Sequence, residues 1–203
     1  CVVESEEITM HIAREVVRLG KDYDLDLVFK ASYRKANRTR GDSFSGIGDT
    51  QALEILSKVR KSHGVKVTTD IHTAEEAHVA AEYVDILQIP AFLCRQTDLL
   101  VAAGNTGRTI NIKKGQFASA VTMEYAVDKV RSTGNHNIML TERGTFFGYS
   151  DLVVDMRNIP LMKKSGVPVI VDITHSLQQP NQPAGLSGGN PELIETIGKC
   201  AVA

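Results

Sequence analysis

The sequence has 203 residues, 42% of them hydrophobic, and a formal net charge of −1. This length and apolar content allow one domain with a sizeable core, which we place over residues 1–203. The near-neutral charge argues against a nucleic-acid binder, whose domain would be strongly basic, and no apolar run is long enough to predict a membrane span. Three widely spaced cysteines, Cys1, Cys94 and Cys200, form no disulfide framework and are typical of a protein of the reducing cytoplasm.

Helical and strand-like segments alternate along the chain. The spacing of apolar residues predicts helices over 6–19, 49–61, 73–81, 95–103, 118–131, 156–164 and 191–202. Short, continuous apolar runs predict strands over 25–29, 65–69, 85–89, 109–112, 137–140 and 167–171. Strict alternation predicts a parallel sheet with right-handed crossovers. Strands that are apolar throughout are typical of a parallel sheet covered on both faces.

Two α/β architectures have such a sheet: an open doubly wound sheet and a closed (β/α)8 TIM barrel. No Gly-x-Gly-x-x-Gly follows any predicted strand, whereas polar residues follow every one, which favours the barrel. Only six of the eight barrel strands can be found. The segment 1–5 reads as the exit from a first strand, and the last helix should lead into an eighth. We therefore expect a barrel whose first and eighth strands lie outside this sequence.

The first predicted strand is followed by a basic stretch with four cations in nine residues, Lys30, Arg34, Lys35 and Arg38, and with Ser32 and Asn37 between them. Taken alone, this stretch could be a solvated loop. Further polar residues follow the later strands, namely Asp70, His72, Gln88, Arg95, Lys113, Gln116, Arg143, His175 and Gln178. In a barrel these strand ends converge on one mouth, so at least five cations would surround one cavity. Because uncompensated cations repel each other, we predict a ligand with several negative charges, such as a phosphorylated small molecule.

Single residues of this set have simpler explanations. Lys113 could be a surface lysine, and Asp70 with His72 could be a helix cap and a satisfied polar pair. Cys1 and His175 are the residues at the mouth that could bind zinc or iron, although Cys1 could equally be a small buried hydrophobic residue. The segment 181–190 is rich in Pro and Gly and is long enough to form a mobile cover.

Seven stretches are recognisable in order along the chain. They are VFKAS at 28–32 with KANR at 35–38, TDIH at 69–72, QIPAFLCRQTD at 88–98, NIKKGQF at 111–117, TERG at 141–144 with FGY at 147–149, DITHS at 172–176 and SGG at 187–189. Together they resemble the 3-deoxy-D-manno-octulosonate 8-phosphate synthase family, transferases of lipopolysaccharide sugar synthesis. The run at 88–98 is the most specific. Against the family, residues 1–203 would be one catalytic barrel domain truncated at both ends.

The resemblance implies that phosphoenolpyruvate condenses with D-arabinose 5-phosphate and that inorganic phosphate is released. It assigns catalytic roles to Lys35, His72, Lys113, Arg143 and His175. It places phosphoenolpyruvate against Lys30, Ser32, Lys35, Gln88, Ala91, Lys113 and Arg143. It places the pentose phosphate against Asn37, Arg38, Asp70, His72 and Ser187. We add Arg95 and Gln116 to the substrate-binding candidates from their place at the strand ends.

The resemblance also implies a divalent metal ion, which could be zinc, iron or manganese. Cys1 is typical of the metal-dependent branch, since the other branch has Asn there, and Cys1 with His175 would supply two of four ligands. The other two, a Glu and an Asp, would lie beyond residue 203. The resemblance further implies a homotetramer with small phosphorylated substrates. The composition predicts a cytoplasmic protein with no nucleic-acid or membrane partner. The loop after Arg38 departs from the family because many members have a second Arg before Gly46.

Two alternatives stay open from the sequence. One is the related synthase of the aromatic pathway, which uses erythrose 4-phosphate. The other is a non-catalytic barrel that binds phosphosugars.

Overall fold

The computed structural model describes residues 2–37, 40–180, 182 and 187–203. The helices are α1 (Glu6–Asp22), α2 (Asp49–His63), α3 (Ala74–Tyr83), α4 (Thr97–Asn105), α5 (Met123–Arg131), α6 (Asn158–Lys163), α7 (Ile173–Ser176) and α8 (Ile194–Val202). The strands are β1 (Val28–Lys30), β2 (Lys66–Asp70), β3 (Ile86–Ile89), β4 (Thr109–Lys113), β5 (Ile138–Glu142), β6 (Thr145–Phe147), β7 (Asp151–Val153), β8 (Val169–Val171), β9 (Gln178–Gln179) and β10 (Gly188–Gly189). Short 3-10 turns cover Ala91–Leu93 and Pro191–Leu193.

Six strands form one parallel sheet in the order β1-β2-β3-β4-β5-β8. These are the six predicted strands in chain order, so the predicted parallel α/β architecture is confirmed. The described residues form a curled half-barrel that ends at β1 and β8. The closure of this half-barrel by a first and an eighth strand stays a prediction. Val2 forms a parallel bridge with Ser32, which places the start of the chain beside the exit of β1.

Apolar side chains explain why the strands are central and the helices peripheral. Leu87, Ile110, Ile112 and Leu140 on neighbouring strands are completely buried, and helix residues such as Leu56 pack against the same core. Because parallel strands are covered on both faces, burial of both alternate sets of side chains is expected. Polar side chains can therefore lie at the ends of the strands, where the chain leaves this apolar core.

Several predicted boundaries were wrong by a few residues. The first strand begins at Val28 rather than at residue 25, because the backbone N–H of Leu25 donates to Gly20 O and closes α1. Asp24 has a positive φ of 51°, which belongs to that turn. The helix predicted over 118–131 begins only at Met123, because turns occupy the preceding residues.

The structure adds elements that the sequence did not predict. An antiparallel hairpin, β6 with β7, follows β5, and the two-stranded pair β9 with β10 follows the short helix α7. They bring Phe146, Gln178 and Ser187 to the same end of the sheet as the polar strand ends. Within the described ranges, no helix is both long and apolar enough to cross a membrane.

Candidate active site

The carboxyl ends of the parallel strands surround a cavity of about 620 Å³. Twelve of the residues predicted for the site line it: Lys30, Lys35, Asn37, Asp70, His72, Gln88, Ala91, Lys113, Gln116, Arg143, His175 and Ser187. The structure thus brings together residues from all six strand exits, as the barrel interpretation required.

The remaining predicted residues lie elsewhere. Ser32 is completely buried beneath the cavity, where its hydroxyl accepts hydrogen bonds from Lys30 and Lys35, each 2.9 Å long. Arg95 is exposed and lines a neighbouring cavity with Phe117. Our predictions for Cys1 and Arg38 fall outside the described residues.

The exits of β1 and β2 form one ion-pair cluster. Lys30 Nζ lies 3.0 Å from Asp70 Oδ1, and Asp70 Oδ2 lies 3.5 Å from His72 Nε2. Burial would raise the pKa of Asp70, but the hydrogen bond from His72 and the charge of Lys30 outweigh it and hold that pKa well below its usual range. Asp70 is therefore a fixed anion that orients two cations at the mouth.

A second cluster joins β4 to the exit of β8. Lys113 Nζ bonds to the carboxylate of Asp172, and the same carboxylate oxygen lies 2.7 Å from His175 Nδ1. Burial lowers the pKa of Lys113 against the opposing charge of Asp172. The bond to Asp172 raises the pKa of His175, yet burial and the charges of Lys113 and Arg143 bring it below its ordinary value. Asp172 therefore sets the positions of both side chains.

Arg143 follows β5 and faces the same cavity. Its Nη2 donates to His175 O at 2.9 Å and approaches Gln178 Oε1 at 3.4 Å. Its Nε is buried and has no hydrogen-bond partner among the described residues. The planar guanidinium that lines the cavity is suited to a carboxylate or phosphate.

Beneath these residues lies a buried pair, Lys114 and Glu142, whose side chains are both completely inaccessible to solvent. Lys114 Nζ lies 3.5 Å from Glu142 Oε1 and 3.1 Å from Thr145 Oγ1. Glu142 accepts hydrogen bonds from Gly144 N at 2.6 Å and from Asn158 Nδ2 at 2.8 Å. Gly144 has a φ of 89°, so the turn after β5 favours glycine. This pair braces the residues next to Lys113 and Arg143 in the chain.

Among the described residues, five cationic side chains and four carboxylates meet at this mouth. The cations are Lys30, Lys35, Lys113, Arg143 and His72, and the carboxylates are Glu4 and Asp70 in the lining and Asp172 and Glu76 behind it. The sequence argument treated the cations as uncompensated, which was wrong for Lys30 and Lys113. An excess of positive charge remains, so the cavity still favours an anionic ligand.

Comparisons with known proteins identify the family of this chain. The model of the DAHP synthetase I family matches residues 1–202. The chain belongs to the DAHP synthetase I family. Proteins from Geotalea daltonii and Citrifermentans bemidjiense are each 52% identical over all 203 residues, which span 75% and 74% of those relatives. A protein from Geobacter sulfurreducens is 50% identical over the same residues and 75% of its own length. All three are named 2-dehydro-3-deoxyphosphooctonate aldolase.

Membership of the DAHP synthetase I family does not by itself identify the residues that support the site. Sequence reasoning missed Asp172, although it occupies the same place after β8 as Asp70 does at the end of β2, so the strand-end rule could have found it. It also missed Glu76, whose position four residues after His72 at the start of a helix was the available signal.

Proposed function

We propose that this protein condenses phosphoenolpyruvate with D-arabinose 5-phosphate to give 3-deoxy-D-manno-octulosonate 8-phosphate and inorganic phosphate, a step of lipopolysaccharide sugar synthesis. The observation that carries this proposal is the match over the whole chain, at 50–52% identity, to relatives named for the product octonate. The cavity supports it, because a ring of cations meets the need of two phosphorylated substrates for positive charge.

The reaction is balanced with water as the third reactant. Carbon 3 of phosphoenolpyruvate attacks the aldehyde carbon of the pentose and forms the new carbon–carbon bond. The oxygen of water adds to carbon 2, and the aldehyde oxygen gains a proton. The carbon 2–phosphate oxygen bond then breaks, which leaves a ketone and inorganic phosphate. Negative charge is present throughout, so the enzyme must supply fixed positive charge and exclude other water.

We propose that the site residues divide into two groups, one for each substrate. We assign phosphoenolpyruvate to Lys35, Lys113 and Arg143, together with Lys30, Ser32, Gln88 and Ala91. Carboxylates hold Lys30 and Lys113, and a backbone carbonyl holds Arg143. These three side chains are therefore oriented before the substrate binds. Such preorganised charge costs no rearrangement during the reaction.

We assign the pentose phosphate to the other side of the mouth. Asp70 and His72 lie at the exit of β2, and Asn37 and Ser187 are exposed on segments that border the cavity. Arg38 belongs to this group by family resemblance. His72 is a cation at neutral pH, since burial lowers its pKa but Asp70 and Glu76 raise it to about 9.

We also propose a divalent metal ion, zinc, iron or manganese, with His175 and Cys1 among its ligands. His175 Nδ1 is held by Asp172, and a carboxylate in that place is the usual support of a metal-binding imidazole. The donor chemistry of His175 therefore fits. No group of three or more such ligands occurs within the described residues, so the rest of the set remains a prediction. When bound, the ion would supply Lewis-acid charge stabilisation.

Three further proposals rest on the family resemblance. We propose that the half-barrel belongs to a complete eight-stranded barrel, that the protein is a homotetramer, and that it works in the cytoplasm on small phosphorylated substrates. The thiols of Cys94 and Cys200 are free, which is compatible with a reducing compartment. Sedimentation velocity would test the tetramer.

The decisive experiment measures phosphate release from phosphoenolpyruvate with arabinose 5-phosphate or erythrose 4-phosphate. We expect release with the pentose and an eight-carbon product by mass spectrometry. Preference for erythrose 4-phosphate would support the aromatic-pathway alternative, which the names of the relatives do not favour. Binding of both substrates without phosphate release, before and after addition of metal, would instead support a non-catalytic phosphosugar barrel.

A further inference from the structure

A carboxylate outside the cavity lining controls one of the site residues. Glu76 is in the first turn of α3 and is largely buried. Its Oε2 accepts a hydrogen bond from the backbone N–H of His72 at 2.7 Å and lies 3.1 Å from the Nδ1 of the same residue. One carboxylate therefore holds both the backbone and the ring of His72.

Glu76 is itself anchored by the segment that follows β1. The hydroxyl of Tyr33 and the guanidinium of Arg34 both donate to the Glu76 carboxylate. Tyr33 is only 2% exposed, and Arg34 Nη1 also pairs with Asp49 at 3.1 Å. These contacts connect three segments of the chain to Glu76, so its carboxylate has little freedom to move away from His72.

The position of Glu76 determines which ring nitrogen of His72 faces the cavity. With Nδ1 directed to Glu76, Nε2 is directed toward Asp70, 3.5 Å away, at the lining of the cavity. Each ring nitrogen thus has a carboxylate neighbour, which favours the doubly protonated imidazolium, since both nitrogens then carry a hydrogen to donate.

We propose that Glu76 is a positioning residue for His72: it orients the imidazole so that the Nε2 edge lies beside Asp70 at the cavity lining, and it keeps the ring cationic toward the aldose phosphate. The identity of that substrate rests on the proposed function, whereas the effect of Glu76 on His72 does not. Glu76 itself touches no reacting atom in this arrangement, because it lies behind the imidazole and outside the cavity lining.

The charge state of His72 follows from the groups around it. Burial lowers its pKa, and the two adjacent carboxylates outweigh that effect and raise it to about 9. The charged and titratable groups that face the ring, directly or through one of those carboxylates, are Asp70, Glu76, Tyr33, Arg34, Lys30 and Lys35. Because the pKa is raised on folding, the contribution of the imidazolium is complete below its ordinary pKa and is lost as pH rises through about 9.

The test compares Glu76→Gln with Glu75→Gln, a matched loss of charge at the next residue of the same helix, where the side chain is exposed. Histidine resonances are followed by 15N NMR between pH 5 and 10, and His72 is assigned by its loss in His72→Asn. We expect Glu76→Gln to lower the titration midpoint of His72 by about one unit or more, as loss of one adjacent opposite charge does. Glu75→Gln should leave that midpoint unchanged.

Kinetics give the second measurement. In Glu76→Gln we expect the KM for arabinose 5-phosphate to rise and the alkaline limb of its kcat/KM profile to move by the same amount as the NMR midpoint. The KM for phosphoenolpyruvate should change much less. If Glu76→Gln does not fold, Glu76→Asp is tested in its place. Asp keeps the negative charge but is one carbon shorter, so the titration midpoint of His72 should fall by less than the amount expected for Glu76→Gln.

The outcomes separate the two proposals. An unchanged His72 midpoint would overturn the positioning role, and so would a shifted midpoint with unchanged pentose kinetics. A loss of activity that follows only the melting temperature, with no shift of the alkaline limb, would also overturn it. If wild-type protein releases no phosphate with arabinose 5-phosphate, the proposed function fails, while the NMR result still decides whether Glu76 controls His72.

Discussion

The buried pair Lys114–Glu142 makes a prediction whose magnitude follows from its burial. Both side chains are completely inaccessible to solvent, and burial lowers the pKa of Lys114 against the opposing charge of Glu142. Lys114→Met would leave Glu142 buried without its cation. Removal of one partner from such a pair costs about 3–5 kcal/mol, because the remaining charge is uncompensated. For a chain of this length we expect the melting temperature to fall by about 6–20 °C.

The assay is equilibrium unfolding in urea, followed by far-UV circular dichroism, for Lys114→Met, Glu142→Gln and the double variant. Lys61→Met is the matched control, since Lys61 is exposed at the end of α2. The double variant removes both charges, so its loss should be smaller than the sum of the single losses by about 0.5–3 kcal/mol. A Lys114→Met protein within about 1 kcal/mol of wild type, or strictly additive losses, would refute the reasoning.

Three further predictions concern the cavity itself. Arg143→Ala or Lys113→Ala should reduce kcat/KM for phosphoenolpyruvate roughly 30-fold to several thousand-fold, which corresponds to about 2–5 kcal/mol, and should weaken this activity far more than it weakens folding. Lys61→Ala should change neither, and unchanged kinetics with a lower melting temperature would mean a structural role. Chelation should abolish activity, and Cys1→Ser should lower metal affinity. Cys1→Asn tests whether the residue of the metal-independent branch restores activity without metal. Full activity in excess chelator with no metal detected would disprove the metal assignment. Asp172→Asn should weaken metal binding about 10–100-fold in a chelator competition. An unchanged affinity would mean that Asp172 positions Lys113 but does not support a metal-binding His175.

The sequence predicted the elements of this fold because their signals are local. Continuous apolar runs and helical spacing depend on neighbouring residues, so the six strands could be read directly, and their order followed from the alternation of strands and helices. The hairpin β6–β7 was missed because the exposed Phe147 and the turn at Gly148 carry no alternating pattern that separates a strand from a loop. Arg95 shows the limit of the strand-end rule, since it lies beyond the 3-10 turn that follows β3 and points to another cavity.

Contacts within the site were harder to predict because they join distant parts of the chain. Lys113 and Asp172 are 59 residues apart, and Lys30 and Asp70 lie on different strands. Strand-end reasoning could place these side chains at one mouth, but it could not say which cation pairs with which carboxylate. That pairing depends on register between strands and on side-chain direction, which no local pattern specifies.

The ion pairs at the mouth change how the positive charge of the cavity is interpreted. Placing a buried cation beside a buried carboxylate contributes little net stability, because desolvation of both groups offsets their attraction. Such pairs at the mouth are therefore better explained by orientation: Asp70 fixes Lys30, and Asp172 fixes Lys113. Arg143 differs, since only its Nη2 is engaged and its buried Nε has no partner among the described residues. An unmade hydrogen bond at a buried guanidinium is costly. Since the Nε of Arg143 is inaccessible in this arrangement, we predict that the side chain shifts when an anionic substrate oxygen satisfies it, and that Arg143 is the cation of the cavity that gains most when phosphoenolpyruvate binds.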